Sequence, residues 1–153
     1  MREMMSAGDI CSRIVTVGER KMPLVEAAQL MRERHVGCLV VVDETGSGRV
    51  PVGMLTDRDI VTMVVAKELD AAQLLVEDVM SAEVSTALVD DSIKNLLEIM
   101  KRKGLRRLPV VTPGGVLEGL ITLDDLLPLM AEQLRDMAAI IEAEFWREER
   151  DRP

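Results

Sequence analysis

The sequence predicts an α/β (α+β) protein made of two pseudo-symmetric βαββα repeats followed by a long C-terminal helix. One pattern occurs twice: a glycine, two apolar residues, a threonine, two variable residues and an aspartate, at Gly53–Asp59 and at Gly119–Asp125. Upstream, Asp9 aligns with Asp78 and Leu39 with Leu108, a constant offset of 69 residues. An internal repeat of this kind indicates two copies of one supersecondary unit. Apolar residues make up 48% of the chain, enough for a shared aliphatic core.

Each repeat has the same predicted order of elements. A short extended segment comes first, then an amphipathic helix, two buried β-branched strands joined by a glycine-containing turn, and a second helix after the threonine. The predicted ranges are 14–17 and 84–86 for the first strand, 23–34 and 92–103 for the helix, 37–42 and 105–111 for the second strand, and 50–55 and 116–121 for the third.

These elements divide the chain into repeat 1 at 9–66, a connector at 67–77, repeat 2 at 78–128 and a C-terminal helix at 129–150. Neither repeat is large enough to bury its own sheet and helices, so we expect the two to form one globular unit. The connector is expected to continue as helix. Pro128 lies too deep in the second helix of repeat 2 for a free N-terminal position, which predicts a kink or a restart there.

Apolar residues recur along the C-terminal helix at spacings of three and four, which is typical of a heptad pattern. They are Leu127, Met130, Leu134, Met137 and Ile141. Such a helix either lies on its own domain or contacts a second copy. The narrow stripe, with Phe145 and Trp146 at its end, favours a homodimer.

Composition excludes several classes of function. A net charge of -8 argues against binding to nucleic acid or to an anionic membrane, and Phe145 and Trp146 are too few aromatics for a single-strand stacking platform. Cys11 and Cys38 are typical of buried thiols in a reducing compartment. His35 has no partner at metal-ligand spacing. We therefore expect a cytoplasmic protein with no catalytic residues and no metal site.

The motif Thr56-x-x-Asp59, repeated at Thr122-x-x-Asp125, has two compatible interpretations. It is typical of a capping box, in which the threonine hydroxyl and the acid satisfy backbone groups at a helix start. It also suits a ligand site, because a helix N-terminus attracts an anion and a carboxylate binds sugar hydroxyls.

The chain resembles a CBS domain pair, named after cystathionine β-synthase. The resemblance rests on the doubled motif, the run Gly104–Val111, the helices that contain Met31 and Met100, and the order of elements, and it covers residues 9–128. It implies two clefts between the repeats that bind adenosine-containing ligands: AMP, ADP or ATP, and in some members NAD or S-adenosylmethionine. It also implies a regulatory module without chemistry of its own, often paired as a disc-like dimer.

The resemblance assigns roles to individual residues. Asp59 and Asp125 would bind the ribose hydroxyls, and Thr56 and Thr122 the ribose or phosphate. Further candidates are the phosphate contact Arg58, the adenine-pocket residues Thr16, Ser85 and Thr86, and the pair Arg106 and Arg107. Because the two arginines are consecutive in an extended run, only one is expected to face a cleft.

The two sites are expected to be unequal. Repeat 2 has Leu123 and Asp124 where repeat 1 has Asp57 and Arg58. We assign the Arg106–Arg107 pair to the site of repeat 2, where Asp124 would repel a polyphosphate unless these arginines or Mg²⁺ offset it. One tight site and one weak or empty site are predicted.

The predicted function is that of an adenine-nucleotide sensor that shifts the conformation of an unknown regulated protein. The alternative is a ligand-free homodimerisation scaffold with vestigial sites. A sensor of NAD or S-adenosylmethionine is less favoured.

Overall fold

The structure is a computed structural model that describes residues 5–152. Its elements in chain order are α1 (Ala7–Ile10), β1 (Val17–Gly18), α2 (Leu24–Arg34), β2 (Cys38–Thr45), β3 (Gly48–Thr56), α3 (Asp57–Ile60), a π-helical turn (Val61–Val65), a 3₁₀ turn (Ala71–Gln73), α4 (Val76–Val79), β4 (Ala87–Leu88), α5 (Ile93–Lys103), β5 (Arg107–Val111), β6 (Leu117–Thr122) and α6 (Leu123–Asp151).

The strands form two three-stranded sheets with the same order, β1-β2-β3 and β4-β5-β6. The first strand of each sheet is parallel to the second, with Val17 beside Val40 and Ala87 beside Val110. In the first sheet β2 and β3 are antiparallel. Each repeat therefore has the predicted βαββα order, and the fold class is confirmed.

Local sequence explains where the main helices begin and end. The N–H of Asn95 donates to the Ser92 hydroxyl at 3.2 Å, which caps the start of α5. Gly104 ends α5 in the left-handed conformation at φ 65°, and His35 ends α2 in the same conformation at φ 55°. Both helices lie within one residue of the predicted ranges.

The middle strands lie at the centre of the core. Four consecutive side chains of β2, from Leu39 to Val42, are at most 2% exposed, as expected for a strand covered on both faces. The core around β2 is aliphatic: its buried members are Leu24, Ala27, Met31, Leu39, Val41, Leu55, Val64, Val76 and Val79. Since Val79 belongs to repeat 2, this core already contains residues from both copies.

The leading segment of each repeat packs on the other repeat. The N–H groups of Ala7 and Gly8 in α1 donate to the carbonyls of Asp91 and Val89, both at 2.8 Å. The equivalent groups of α4 donate back to the first repeat: Val76 to Met22 at 2.9 Å and Glu77 to Arg20 at 3.0 Å. This reciprocal exchange explains how two small repeats share one core.

Two local expectations were wrong, and of the two alternatives at Pro128, a kink or a restart, the restart does not occur. The first strands are two-residue elements displaced toward the C-terminus of the predicted ranges. The connector does not continue as helix, because Glu68 takes a left-handed conformation at φ 54° and a 3₁₀ turn follows. No restart occurs at Pro128, since α6 runs unbroken through it. A proline at the sixth helical position removes one backbone bond, and the remaining bonds of a 29-residue helix continue on both sides.

The chain divides into two compact units, one ending at Ile121 and one beginning at Thr122. The first holds both exchanged segments and five of the six strands in full. The second is α6, whose start is capped by Thr122. No helix within residues 5–152 has the length and apolar character needed to cross a membrane.

Candidate ligand-binding cleft

A cavity of about 220 Å³ opens in the first unit, beside the first copy of the repeated motif. We call it the Asp59 cleft. Its lining residues come from β3 and α3 of repeat 1 and from the leading segment and β5 region of repeat 2: Met54, Thr56, Asp59, Ser81, Glu83, Ser85, Leu105, Arg106 and Arg107.

Thr56 and Asp59 form a capping box on the wall of this cleft. One carboxylate oxygen of Asp59, Oδ2, accepts from the N–H of Thr56 at 2.9 Å, and the N–H of Asp59 donates to Thr56 Oγ1 at 3.1 Å. The box engages one carboxylate oxygen and one lone pair of the hydroxyl. The second carboxylate oxygen of Asp59 and the hydroxyl hydrogen of Thr56 are therefore outside the box, so capping and ligand binding are compatible.

The two repeats are hydrogen-bonded to each other in the cleft wall. The N–H of Met54 donates to the carbonyl of Ser81 at 3.0 Å, and the N–H of Ser81 donates to the carbonyl of Met54 at 2.9 Å. Gly53 permits this approach: a Cβ there would lie 2.5 Å from the sulfur of Met80 and 3.0 Å from the Ser81 carbonyl oxygen. The glycine of the motif is thus required by the crossing segment.

Arg106 and Arg107 both line the cleft, so the expectation that only one of them would do so was wrong. Side chains alternate between faces only within a strand. Arg107 is the first residue of β5, whereas Arg106 lies in the bend before it.

The assignment of the arginine pair to the motif of repeat 2 was also wrong. The pair lies with Thr56 and Asp59 of repeat 1. The reason is packing between the repeats, which places the start of β5 in repeat 2 against the motif of repeat 1.

The lining charges are mixed. Glu83 adds a second carboxylate to that of Asp59, and these two face a cleft that also contains the two arginines. The four charged groups sum to zero at neutral pH. Glu83 aligns with Ile14 of repeat 1, so the charged composition of this wall is specific to repeat 2.

The other candidate residues lie elsewhere. Arg58, Thr16 and Thr86 are not among the residues that line the Asp59 cleft. Thr122 and Asp125 repeat the capping box at the start of α6, where the N–H of Thr122 donates to Asp125 Oδ2 at 2.9 Å and the N–H of Asp125 donates to Thr122 Oγ1 at 3.3 Å. The cleft therefore brings together Thr56, Asp59, Ser85 and the two arginines.

Cys38 is a buried thiol next to this region, opposite Thr56 in the β2–β3 ladder. Burial raises the pKa of the Cys38 thiol, the positive charge of Arg107 opposes that rise, and the negative charge of Asp57 adds to it. A thiol with a raised pKa stays protonated at neutral pH and is a poor nucleophile. The buried position of Cys38 was expected from the sequence, and it accounts for the raised pKa of the thiol.

Four lining residues were not identified from the sequence: Met54, Ser81, Glu83 and Leu105. One signal was available. A glycine inside a strand often marks a close backbone approach, and Gly53 is such a residue. The approaching segment could not be named from that signal, because it comes from the other repeat.

The model of the CBS domain family matches residues 7–66 and 76–132. The chain belongs to the CBS-domain family. An uncharacterized relative from Methanopyrus kandleri is 35% identical over 122 residues, which are 80% of this chain and 61% of that protein. The match thus spans less than two thirds of the relative's length.

Solved structures share the fold of this CBS pair. The crystal structure of Hypoxic Response Protein I with two coordinated zinc ions has a TM-score of 0.69 at 32% identity and covers 80% of this chain and 97% of that one. A CBS domain pair in complex with 5-methylthioadenosine and S-adenosyl-L-methionine has a TM-score of 0.73 at 24% identity, with coverage of 86% and 99%. Among residues 5–152 of this chain, no group of three or more His, Cys, Asp or Glu is placed to hold a metal ion.

Proposed function

We propose that the Asp59 cleft binds an adenine nucleotide and that this CBS pair is a ligand-sensing regulatory module. The observation that carries the proposal is the meeting of Asp59 and Thr56 with Arg106 and Arg107 in one cavity. A carboxylate oxygen outside the capping box suits a ribose diol, and guanidinium groups suit a phosphate because they donate paired, charge-assisted hydrogen bonds. The solved CBS pair with 5-methylthioadenosine and S-adenosyl-L-methionine supports the adenosine class.

Size and charge favour AMP over larger ligands. A cavity of about 220 Å³ lies below the ~300–1,000 Å³ typical of pockets for drug-sized ligands, which disfavours NAD. The carboxylate of Glu83 beside that of Asp59 opposes additional phosphates, so ADP and ATP should bind more weakly than AMP unless Mg²⁺ accompanies them.

Regulation would follow from the shared wall of the cleft. A ligand that touches Asp59 and Arg107 contacts both repeats at once and favours the arrangement in which both contacts are made. The regulated protein would respond to that shift in population. A ligand-free scaffold is the alternative, and it predicts no response to any nucleotide.

A ligand panel tests the proposal. We expect AMP at 100 times its Kd to stabilise the chain by about 2.7 kcal/mol, equivalent to a rise in melting temperature of roughly 5–11 °C for a chain of this size. Thermal shift and calorimetry with AMP, ADP, ATP, NAD and S-adenosylmethionine, with and without Mg²⁺, measure it. Absence of binding by every compound would leave the scaffold as the function.

Asp59→Asn should weaken AMP binding about 10-fold, because the amide that replaces the carboxylate loses a charge-assisted bond to the ribose. Asp78→Asn is the matched control: the Asp78 carboxylate caps α4 through the N–H of Leu75 at 2.8 Å and does not line the cleft. Calorimetry on both variants separates the loss of a cap from the loss of a ligand contact. Equal AMP affinities in the two variants would refute the role of Asp59. The variant Asp125→Asn tests in the same way whether the second motif binds AMP.

A further inference from the structure

The helix α6 carries a long apolar face that is exposed. Seven large apolar side chains, within an arc of about 140° around the helix, each leave between 40% and 70% of their surface exposed: Leu127, Met130, Leu134, Met137, Ile140, Ile141 and Phe145. We call these seven residues the α6 face. Every residue from 130 to 152 is exposed.

The exposed area of the α6 face is too large for an ordinary surface. With about 200 Å² for a large apolar residue, within the range known for aromatic side chains, the seven residues expose on the order of 800 Å². The largest apolar patch on a typical monomer is about 300–600 Å². A standard interface buries about 800 Å² on each partner. The α6 face therefore has the area of one side of a stable interface.

The spacing of the apolar residues indicates that the partner is another helix. Leu127, Met130, Leu134, Met137 and Ile141 follow intervals of three and four, the period at which two helices keep their apolar sides in contact. The small residues Ala131 and Ala138 flank this line and permit close approach of the helix axes.

The length of the α6 face indicates that the partner helix is a second α6. From Leu127 to Phe145 the face extends about 27 Å at 1.5 Å per residue. Apart from α6, the longest helices in residues 5–152 are α2 and α5 with 11 residues each, about 16 Å long at the same rise. A second copy of the chain supplies a helix of matching length and pattern, and a two-fold pair buries the same face on both copies.

We infer that α6 pairs with α6 of a second copy and joins two chains into a homodimer through the α6 face. This inference is independent of what the Asp59 cleft binds. The polar side of the helix, which includes Arg135 and Glu142, stays in solvent in that arrangement.

Substitution of Leu134 and Ile141 by glutamine tests the interface. The full chain should have twice the 17.0 kDa mass of one copy in light scattering. Leu134→Gln with Ile141→Gln should raise the dimer dissociation constant at least about 100-fold, because four buried side chains per dimer are lost. The control Arg135→Gln with Glu142→Gln alters neighbouring positions and, like the test pair, keeps the net charge; it should remain dimeric. A monomeric wild type, or a Leu134→Gln/Ile141→Gln variant that stays dimeric, overturns the inference.

Discussion

Replacing Arg106 and Arg107 together by glutamine should lower the affinity for AMP at least about 100-fold and leave the affinity for adenosine unchanged. Hydrogen bonds to a charged group contribute about 1.5–3 kcal/mol each, so the loss of two costs at least about 3 kcal/mol, which makes a 100-fold change, about 2.7 kcal/mol, the lower bound. Adenosine lacks the phosphate that the guanidinium groups would meet. Calorimetry with the two ligands measures the difference.

The control for the arginine pair is Lys101→Gln with Lys103→Gln. It also removes two positive charges, but from the exposed end of α5, outside the cleft lining. Salt screens an exposed charge that does not line the cleft more strongly than a charge in contact with the ligand, so this variant should lose less than about threefold. Equal losses of AMP affinity in both variants would mean that AMP is attracted by the overall electrostatic potential of the protein and not by these two arginines. An equal loss of adenosine binding would show that the arginines support the shape of the cleft.

Gly119→Ala should destabilise the protein by about 3 kcal/mol, the upper end of the range for overpacking. The added Cβ would lie 2.5 Å from the sulfur of Cys11 and 2.6 Å from the carbonyl oxygen of Ser12. That carbonyl accepts from the N–H of Leu120 at 3.0 Å, so backbone that joins the two repeats would have to move. The melting temperature should fall by roughly 6–12 °C.

Two other glycines calibrate this result. Gly53→Ala should cost less than Gly119→Ala, because its shortest contact is the flexible end of Met80 and the Ser81 carbonyl is farther away, at 3.0 Å. Gly46→Ala meets nothing within 4 Å and should change stability by less than about 0.5 kcal/mol. Equal effects at positions 46 and 119 would contradict the close packing of the exchanged segment.

Much of the fold follows from local sequence. The capping residue Ser92, the terminal Gly104 and the β-branched runs on either side of the turns locate α5 and the central strands, because each signal acts within a few residues. The internal repeat extends these assignments from one copy to the other. The connector was wrongly expected to continue as helix, because the left-handed conformation of Glu68 has no strong sequence signal.

The composition of the Asp59 cleft could be predicted only in part. Thr56 and Asp59 were identified because a capping box has a fixed spacing, and Ser85 and the arginines because they match family positions. The arginine pair was assigned to the wrong motif, and Ser81 and Glu83 were missed. These errors share one cause: which repeat supplies each wall depends on contacts between residues far apart in the chain.

By itself the sequence determined the two repeats, their order of elements, the duplicated Thr-x-x-Asp box and the heptad spacing of α6, since all of these arise from short-range periodicity and backbone capping. Only the tertiary structure decided that Ser81 crosses to Met54, that both arginines join Asp59, and that the α6 face is exposed. Those outcomes depend on the exchange of leading segments and on packing over long distances, where hydrophobic burial and hydrogen bonding between the repeats select one arrangement.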